Sequence, residues 1–253
     1  YKRQTEDFAI FGSIFLMIFL FLSERISDMS NVTYKYIKQN NDVQTYINHA
    51  DAALSSIGYT EHSNAHVERA AFTANMILSE LGYTERDCEL AQIAAYMHDI
   101  GNVVNRVDHA QSGAIMAFHI LEGMGMPAEE ICTIVSAIGN HDEHTAAPVN
   151  HIAAAVIISD KTDVRRSRVR GAKNYDGADI SDVHDRVNYA CEQSKVYFSD
   201  DKTSLILDLI IDLRISSIME YFEIFMDRMI LCRKAAKTLG VEFQLAINNQ
   251  KVL

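Results

Sequence analysis

A histidine and an aspartate stand side by side at the end of an apolar segment, AAYMHDIG, as His98 and Asp99. Burying an imidazole or a carboxylate among apolar residues is unfavourable unless a partner compensates for the lost solvation. A divalent metal ion is such a partner, because imidazole nitrogen and carboxylate oxygen are ligands of iron, manganese and zinc. Asp99 has two carboxylate oxygens and can therefore bridge two ions. This pair predicts a metal centre.

Further residues of the same two types lie at the ends or on the inner faces of predicted helices. His66 and His109 each open a helix, His141 ends one, and Asp160 lies within another. Helical bundles build metal sites from inward-facing side chains of this kind. The cysteines form no Cys-x-x-Cys pair, and this disfavours a structural zinc site. The candidate ligands are therefore His66, His98, Asp99, His109, His141 and Asp160.

Helical periodicity between about residues 42 and 170 predicts the elements that position these ligands, with short connections between packed helices. One helix closes at Gly58. Thr84, Asp108 and Asn150 are expected as N-caps of later helices. Pro127 is expected in the first turn of another helix, where its missing N–H costs least. This part of the chain is predicted to be a helical bundle.

The pattern changes after about residue 175. VNYACEQSKVYF and SLILDLIIDL are rich in strand-forming residues on either side of a polar turn, which predicts a hairpin. SSIMEYFEIFMDRMILCRKAAKTLG is strongly helical, and VEFQLAI resembles one more strand. The fold class is expected to be mainly α, with a bundle over residues 29–174 and a small α+β (β-β-α-β) subdomain over residues 175–253.

The segment before the predicted bundle, residues 1–28, is interpreted as an apolar leader or anchor. The uncharged stretch FAIFGSIFLMIFLFL, residues 8–22, is shorter than the roughly 20 residues of a spanning helix. No small-residue cleavage site follows it, so a removable signal peptide is disfavoured. Three interpretations stay open: a short membrane anchor, a buried or partner-binding helix, and a leader that is not native to the folded domain.

Composition and charge restrict the function classes. The formal net charge of -11 argues against a protein that coats nucleic acid or anionic lipid, because phosphate groups would be repelled. The dispersed cysteines lie among apolar residues, as reduced thiols of a cytosolic protein do. We expect a cytoplasmic protein, or a membrane-anchored one with a cytoplasmic domain if residues 8–22 are an anchor. The cysteines are Cys88, Cys132, Cys191 and Cys232.

Five segments in order resemble the HD-domain superfamily of metal-dependent phosphohydrolases. They cover about residues 60 to 165 and are HVERAAFTANMILSELGY, AAYMHDIGN, DHAQSGAIMA, AIGNHDEHT and AAAVIISDKTD. The resemblance implies an HD-type helical bundle. The motif spacing is most similar to two-metal members, such as the YqeK-like diadenosine tetraphosphate hydrolases.

The resemblance also implies a ligand set and a mechanism. Two divalent ions, iron, manganese or similar, would activate a bridging hydroxide that attacks phosphorus, with Asp99 holding the ions together. Asn102 departs from the lysine that often follows HDIG, and no GYP motif follows His141, so the substrate does not carry over. The first ion would be held by His66, His98, Asp99 and Asp160. The second would be held by Asp99, His109 and His141.

A local excess of basic residues follows the last candidate ligand. Lys161 and the segment VRRSRVRGAK reverse the acidic balance of the chain, and guanidinium groups bind phosphate oxygens by paired hydrogen bonds. Lys161 and Arg165 are therefore predicted to contact substrate, with Lys161 also catalytic; a solvated helix end remains the alternative. His62 and His144 are predicted to lie next to the metal ligands and to orient them without binding the ions themselves.

Two function classes follow. The first is hydrolysis of a phosphate ester or anhydride, with a small phosphorylated compound, expected to be a nucleotide, as the substrate and no nucleic acid polymer as a partner. The second is a non-catalytic metal-containing regulatory or sensory module, membrane-tethered in one version. A homodimer is also predicted, because SLILDLIIDL and VEFQLAI could leave a sheet edge to be covered.

Overall fold

The computed structural model describes residues 32–171 and 181–252. The predicted apolar leader, residues 1–28, and the predicted boundary between residues 174 and 175 lie outside these ranges. None of the helices within the described ranges combines the length and the apolar character that crossing a membrane requires. The three interpretations of the leader therefore stay predictions.

Helices account for most of the described chain, and all of those described except the last precede the first strand. Short 3₁₀ helices at Ile100–Val103 and Arg166–Arg168 interrupt them. The helices are α1 Tyr34–Gln39, α2 Asn41–Ser56, α3 Asn64–Glu80, α4 Glu85–Met97, α5 His109–Gly123, α6 Ala128–Gly139, α7 His151–Lys161, α8 Val183–Ala190 and α9 Ile218–Thr238.

Capping residues set several of these helix starts. The side chains of Thr84 and Asn150 accept hydrogen bonds from backbone N–H groups three residues on, as predicted. Asp108 precedes α5 as predicted, but its side chain makes no capping hydrogen bond, because its backbone adopts a left-handed conformation with φ 57°. Pro127 occupies the position before α6 and not its first turn. The predicted cap at Asp108 and the predicted place of Pro127 are thus wrong in detail.

Helix α7 lies at the centre of the bundle. Residues 152–161 are all buried, so this helix has no solvated face. Helix α3 packs against it and against α4 through small side chains, among them Ala70, Ala71 and Ala74, each fully buried. Because α7 is enclosed, Asp160 and Lys161 at its end are carried into the interior, where each needs a charged partner.

The sheet follows in the order β1-β2-β3-β4, with α9 packed against β3. Strand β1 is antiparallel to β2, β2 is parallel to β3, and β3 is antiparallel to β4. The fold is therefore mainly α, a helical bundle followed by a small α+β unit, as predicted. The strands are β1 Cys191–Phe198, β2 Ser204–Ile211, β3 Glu242–Ile247 and β4 Gln250–Lys251.

Two expectations about this unit are corrected. The residues VNYA, predicted as the start of a strand, form the end of α8, because Asp182 caps that helix and Val187 and Ala190 bury its inner face. Strand β2, predicted as a possible free edge, is paired on both sides, and β3 is paired with both β2 and the short β4. The homodimer stays a prediction, without that support.

Candidate metal centre

The structure brings the four predicted histidine ligands together in two pairs. The Nε2 atoms of His66 and His98 lie 3.4 Å apart, and those of His109 and His141 lie 3.1 Å apart. All four side chains are buried. Helices α3 and α5 each contribute one ligand near their first turn, and the turns that end α4 and α6 contribute the others.

Asp99 lies between the two pairs. Its Oδ2 is 3.2 Å from His98 Nε2 and 3.7 Å from His66 Nε2. Its Oδ1 is 3.4 Å from His109 Nε2 and 3.8 Å from His141 Nε2. One oxygen of the same carboxylate thus faces each pair, which is the arrangement a bridging ligand requires.

Asp160 completes one side of the cluster. Its Oδ1 is 3.3 Å from His66 Nε2 and 3.6 Å from His98 Nε2. We call His66, His98, Asp99 and Asp160 the first group. We call Asp99, His109 and His141 the second group.

Hydrogen bonds on the far side of each ring orient the histidines. In His98, His109 and His141, Nδ1 lies 2.6–3.0 Å from the backbone carbonyl oxygen three residues earlier. In His66, Nδ1 lies 2.8 Å from Asp163 Oδ2. A nitrogen facing such an acceptor carries the hydrogen, so in the neutral ring the lone pair of Nε2 points into the cluster.

This arrangement fits divalent ions. Four Nε2 lone pairs and three carboxylate oxygens facing one another repel unless protons or cations lie among them. In a tetrahedral site, ligand atoms about 2.0–2.2 Å from an ion lie roughly 3.3–3.6 Å from each other, and the contacts within the cluster are 3.1–3.8 Å. The chemistry and spacing of these residues therefore fit divalent metal ions.

Burial and charge affect the two groups differently. Burial lowers the pKa of His98, but Asp99 and Asp160 outweigh it and raise that pKa to about 10. Burial acts to raise the pKa of Asp99, yet His98 holds it well below its usual range. Burial lowers the pKa of both His109 and His141. Without ions, the first group therefore retains a proton and the second group is neutral at its histidines.

Lys161, a predicted substrate contact, lies beside the first group. Its Nζ is 2.7 Å from Asp160 Oδ2 and 3.3 Å from Glu143 Oε2, and the side chain lines the small cavity at the cluster. Burial would lower its pKa, but Asp160 and Glu143 raise it above its usual value. Lys161 is thus a buried, protonated cation next to a predicted metal ligand.

Arg165, the other predicted substrate contact, has its guanidinium paired with two carboxylates. Its Nε is 3.0 Å from Asp163 Oδ1, and a terminal nitrogen is 3.0 Å from Glu61 Oε2. Among the residues described, Arg165 is not one that lines the cavity at the cluster. The Arg165 guanidinium therefore pairs with Asp163 and Glu61 in this structure, and its contact with substrate stays a prediction.

His62 and His144 differ in position. His62 lines the cluster cavity, with its ring centroid 5.5 Å from that of His66 and its Nδ1 2.7 Å from the Thr60 carbonyl oxygen. Burial and Arg168 lower the pKa of His62. His144 is exposed, and it is His141 that reaches the cluster.

The sequence interpretation missed the residues that support Asp99 and His66. Asn102 Nδ2 donates to Asp99 Oδ1 over 2.8 Å and to the Asp99 carbonyl over 2.9 Å. Asp163 is buried and accepts from His66. A local signal for Asp163 existed in DKTD, where it lies three residues after Asp160. In the sequence, Asn102 stands out only as a departure from the lysine that often follows HDIG.

Two glycines allow α5 to approach the His-Asp turn. A Cβ at Gly101 would lie 2.0 Å from the His109 carbonyl oxygen and 2.4 Å from the Gly113 nitrogen. Gly113 is itself close, with its Cβ position 3.2 Å from the His98 carbonyl oxygen. Only glycine at position 101 lets these backbones pack, and this close approach brings the two groups together.

Comparisons with known proteins agree with this geometry. Residues 65–176 match the model of the HD domain family, so the predicted resemblance is confirmed for that segment. The chain is also 25% identical over 167 residues to an uncharacterized protein of Methanocaldococcus jannaschii, across 57% of this chain and 64% of that protein. The chain thus spans less than two thirds of that relative.

A solved structure shows a partial likeness as well. It is the crystal structure of a predicted HD superfamily hydrolase from an uncultured Thermotogales bacterium, with TM-score 0.39 and 23% sequence identity, covering 49% of this chain and 67% of that one. The finer likeness to YqeK-like members stays a prediction. All six candidate ligands fall inside the segment that matches the family model.

Proposed function

We propose that this chain, through its HD domain, is a metal-dependent phosphohydrolase that acts on a small phosphate ester or anhydride, with nucleotides as the first candidates. The observation that carries the proposal is Asp99, whose two oxygens face two separate imidazole pairs. Two divalent ions, iron, manganese or similar, would be held by the first and second groups. Such ions supply Lewis acidity toward phosphoryl oxygens and lower the pKa of a water ligand.

The supporting residues fix the geometry of the cluster in advance. Asn102 orients the Asp99 carboxylate, and Asp163 orients the His66 ring. Backbone carbonyls orient the other rings. Because these contacts exist within the folded chain, the ligands need not reorganise when the substrate binds, which is the main route by which enzymes stabilise a polar transition state.

Lys161 is proposed as the catalytic cation of the chain. It stays protonated because Asp160 and Glu143 raise its pKa, and its head group lines the cavity at the cluster. A fixed positive charge there would stabilise the negative charge that develops on the phosphoryl oxygens as the bond to the leaving group breaks. Burial of Lys161 keeps this interaction away from bulk water, where it would be weaker.

The test combines metal analysis with a substrate panel. Anaerobically purified protein is loaded with Mn²⁺ or Fe²⁺, its metal content is measured, and phosphate release is followed on nucleoside mono-, di- and triphosphates and on cyclic nucleotides. We expect stoichiometric metal and phosphate release from at least one compound. Asp99→Ala should lose both the metal and the hydrolysis, because both groups lose a shared ligand.

Asp42→Ala is the matched control, since it removes the same charge from an exposed position in the first turn of α2. It should keep both metal and rate. Stoichiometric metal without turnover on any phosphorylated compound would favour a non-catalytic regulatory or sensory module instead. An Asp99→Ala protein with full metal content and full rate would contradict the role given to Asp99.

A further inference from the structure

A second, larger cavity adjoins the metal cluster. It has a volume of about 290 Å³ and shares four lining residues with the small cavity at the cluster, namely His62, Arg106, Arg168 and Arg228. Three of the four are arginines. The passage from the metal ligands to the larger cavity is therefore lined by guanidinium groups.

Two of these guanidiniums are stacked on aromatic rings. Arg106 lies over the Tyr59 ring, 5.5 Å from its centroid, and Arg228 lies over the Phe225 ring at 4.8 Å. Tyr59 and Phe225 also line the larger cavity. Stacking orients the planar head groups before a ligand arrives, so less conformational freedom is lost on binding an anion.

The third guanidinium is buried with little compensation of its charge. Arg168 Nε donates to the Glu61 carbonyl over 3.0 Å, and a terminal nitrogen donates to the Asp163 carbonyl over 3.0 Å. The Asp163 carboxylate is 4.0 Å from Arg168 and is shared with Arg69 and Arg165. Neutral carbonyls hold the position of Arg168 but leave its positive charge available to a bound anion.

Divalent ions would make the charge around the cluster positive. The residues lining its small cavity include four cations, Arg106, Lys161, Arg168 and Arg228, and two carboxylates. Further carboxylates pair with these cations, Glu143 with Arg228 and Lys161 and Asp142 with Arg106. The charges of the side chains therefore roughly balance, and bound divalent ions would leave a net positive charge. The same three arginines line both the small cavity and the larger one. They are therefore placed to bind a second anionic group of a ligand whose first phosphoryl group lies at the ions.

We propose that Arg228 joins Arg106 and Arg168 to bind a second phosphoryl group of the substrate, so that the chain hydrolyses small organic diphosphates in preference to phosphate monoesters. This inference rests on the proposed function, and it gives the C-terminal unit a part in it. Arg228 lies on α9, outside the segment that matches the HD domain model. Helix α9 packs directly on α7, which carries Asp160 and Lys161.

The reaction is the addition of water across a P–O–P bridge. The water oxygen forms a bond to the scissile phosphorus, and the bond from that phosphorus to the bridging oxygen breaks. One proton of the water passes to the leaving phosphate or to solvent, and the other stays on the new orthophosphate. The bridging oxygen leaves on the second phosphoryl group, where the three guanidiniums would stabilise its growing negative charge.

The experiment measures binding and does not depend on turnover. Methylenediphosphonate and methylphosphonate are titrated into Mn²⁺-loaded protein by calorimetry at a fixed free Mn²⁺ concentration, with metal content checked afterwards. We expect the diphosphonate to bind at least about tenfold more tightly than the monophosphonate. Arg228→Gln should weaken diphosphonate binding by about ten- to a hundredfold and change monophosphonate binding by less than about threefold.

Arg228→Lys keeps the charge beside Glu143 but loses the planar, stacked head group, so it should recover part of the diphosphonate affinity and serves if Arg228→Gln does not fold. Arg233→Gln, at an exposed position on the same helix, is the matched control and should bind like the wild type. Equal binding of the two phosphonates, or an unchanged preference in Arg228→Gln, would overturn this inference. Absence of metal binding would instead contradict the proposed function.

Discussion

The first and second groups share Asp99 but are supported differently. The first group contains a second carboxylate, Asp160, and its His66 ring is backed by the Asp163 carboxylate. The second group contains no carboxylate besides Asp99, although Asp142 Oδ1 lies 3.9 Å from His109 Nε2, and its rings donate to neutral carbonyls. A cation lies beside each group, Lys161 Nζ at 2.7 Å from Asp160 Oδ2 and an Arg106 nitrogen at 3.2 Å from His109 Nε2. The larger number of ligands and of anionic oxygens therefore favours a metal ion more in the first group than in the second.

If the proposed function holds, the one carboxylate bridge of Asp99 would join two metal sites of unequal affinity. The first group offers four ligands and two anionic oxygens, whereas the second offers three ligands and one anionic oxygen. Arg106 beside the second group opposes a cation there but favours an anionic ligand. We infer that the first group holds its ion more permanently, while occupancy of the second rises when an anionic substrate is present.

The largest expected effect separates the groups by ligand loss. His109→Ala leaves the second group with His141 and Asp99, so it should bind one ion per chain and lose hydrolysis. His66→Ala leaves three ligands in the first group and should still bind two ions, the first of them more weakly. Elemental analysis after dialysis at matched free Mn²⁺ measures this. If His109→Ala retained two ions, the inequality between the groups would be wrong.

The next largest effect concerns Asp163, whose carboxylate accepts a hydrogen bond from the His66 ring of the first group. Asp163→Asn should weaken the first ion by about ten- to a hundredfold, as loss of such a supporting partner does elsewhere, and leave the second ion unchanged. It should also lower the free energy of unfolding, since Arg69, Arg165 and Arg168 lose their shared carboxylate.

Competition with a fluorescent chelator measures both affinities, and Asp42→Asn at an exposed position on α2 is the control with the same chemical change. Equal weakening of the two ions by Asp163→Asn would show that Asp163 acts on the whole cluster and not on the first group.

A smaller effect is the pH dependence of the two affinities. The pKa of His98 is raised to about 10, against about 6.5 in an unfolded chain. In the metal-free protein the stabilisation from protonated His98 is therefore complete below about pH 6.5 and lost as pH rises through about 10. An ion must displace this proton, so first-group affinity should rise about tenfold per pH unit between those values.

The metal affinity of the second group should depend less on pH. Burial lowers the pKa of His109 and His141, so these rings are already neutral at pH 8 and no proton need leave when an ion binds. Titration calorimetry in two buffers of different ionisation enthalpy counts the protons released. His109→Ala isolates the first group, where about one proton is expected. Proton release from both groups alike would remove this distinction.

Features with a local signal were predictable from the sequence. Thr84 and Asn150 cap helices because their side chains precede helical segments by the spacing that capping needs. The candidate ligands were found because each lies at a helix end or inside a buried helix, and because the HD-type segments follow one another in the family's order. The helical bundle, the hairpin and α9 followed from hydrophobic periodicity.

Features created by packing were not predictable in this way. Arg228 reaches the cluster only because α9 packs on α7, and nothing in SSIMEYFEIFMDRMILC distinguishes it from other charged residues of an amphipathic helix. Arg165 follows Asp160 closely in the chain, but its guanidinium forms ion pairs with Asp163 and Glu61. The sequence did not predict α8, because the strand-forming residues of VNYA at its end are outweighed by the Asp182 cap at its start.

The smallest predicted effect compares the starts of the helices that carry His98 and His109. Thr84→Ala removes an accepting cap from α4 and should lower the free energy of unfolding by about 1 kcal/mol. Asp108 makes no capping hydrogen bond to α5 and has φ 57°, a conformation that glycine adopts without strain, so Asp108→Gly should leave stability within about 0.5 kcal/mol or raise it. Urea unfolding in the presence of chelator measures both, free of metal binding. A loss in Asp108→Gly as large as that in Thr84→Ala would mean that the side chain before α5 stabilises this helix as Thr84 stabilises α4. The helix that carries His109 in the second group would then be stabilised at its start as much as the helix that carries His98 in the first.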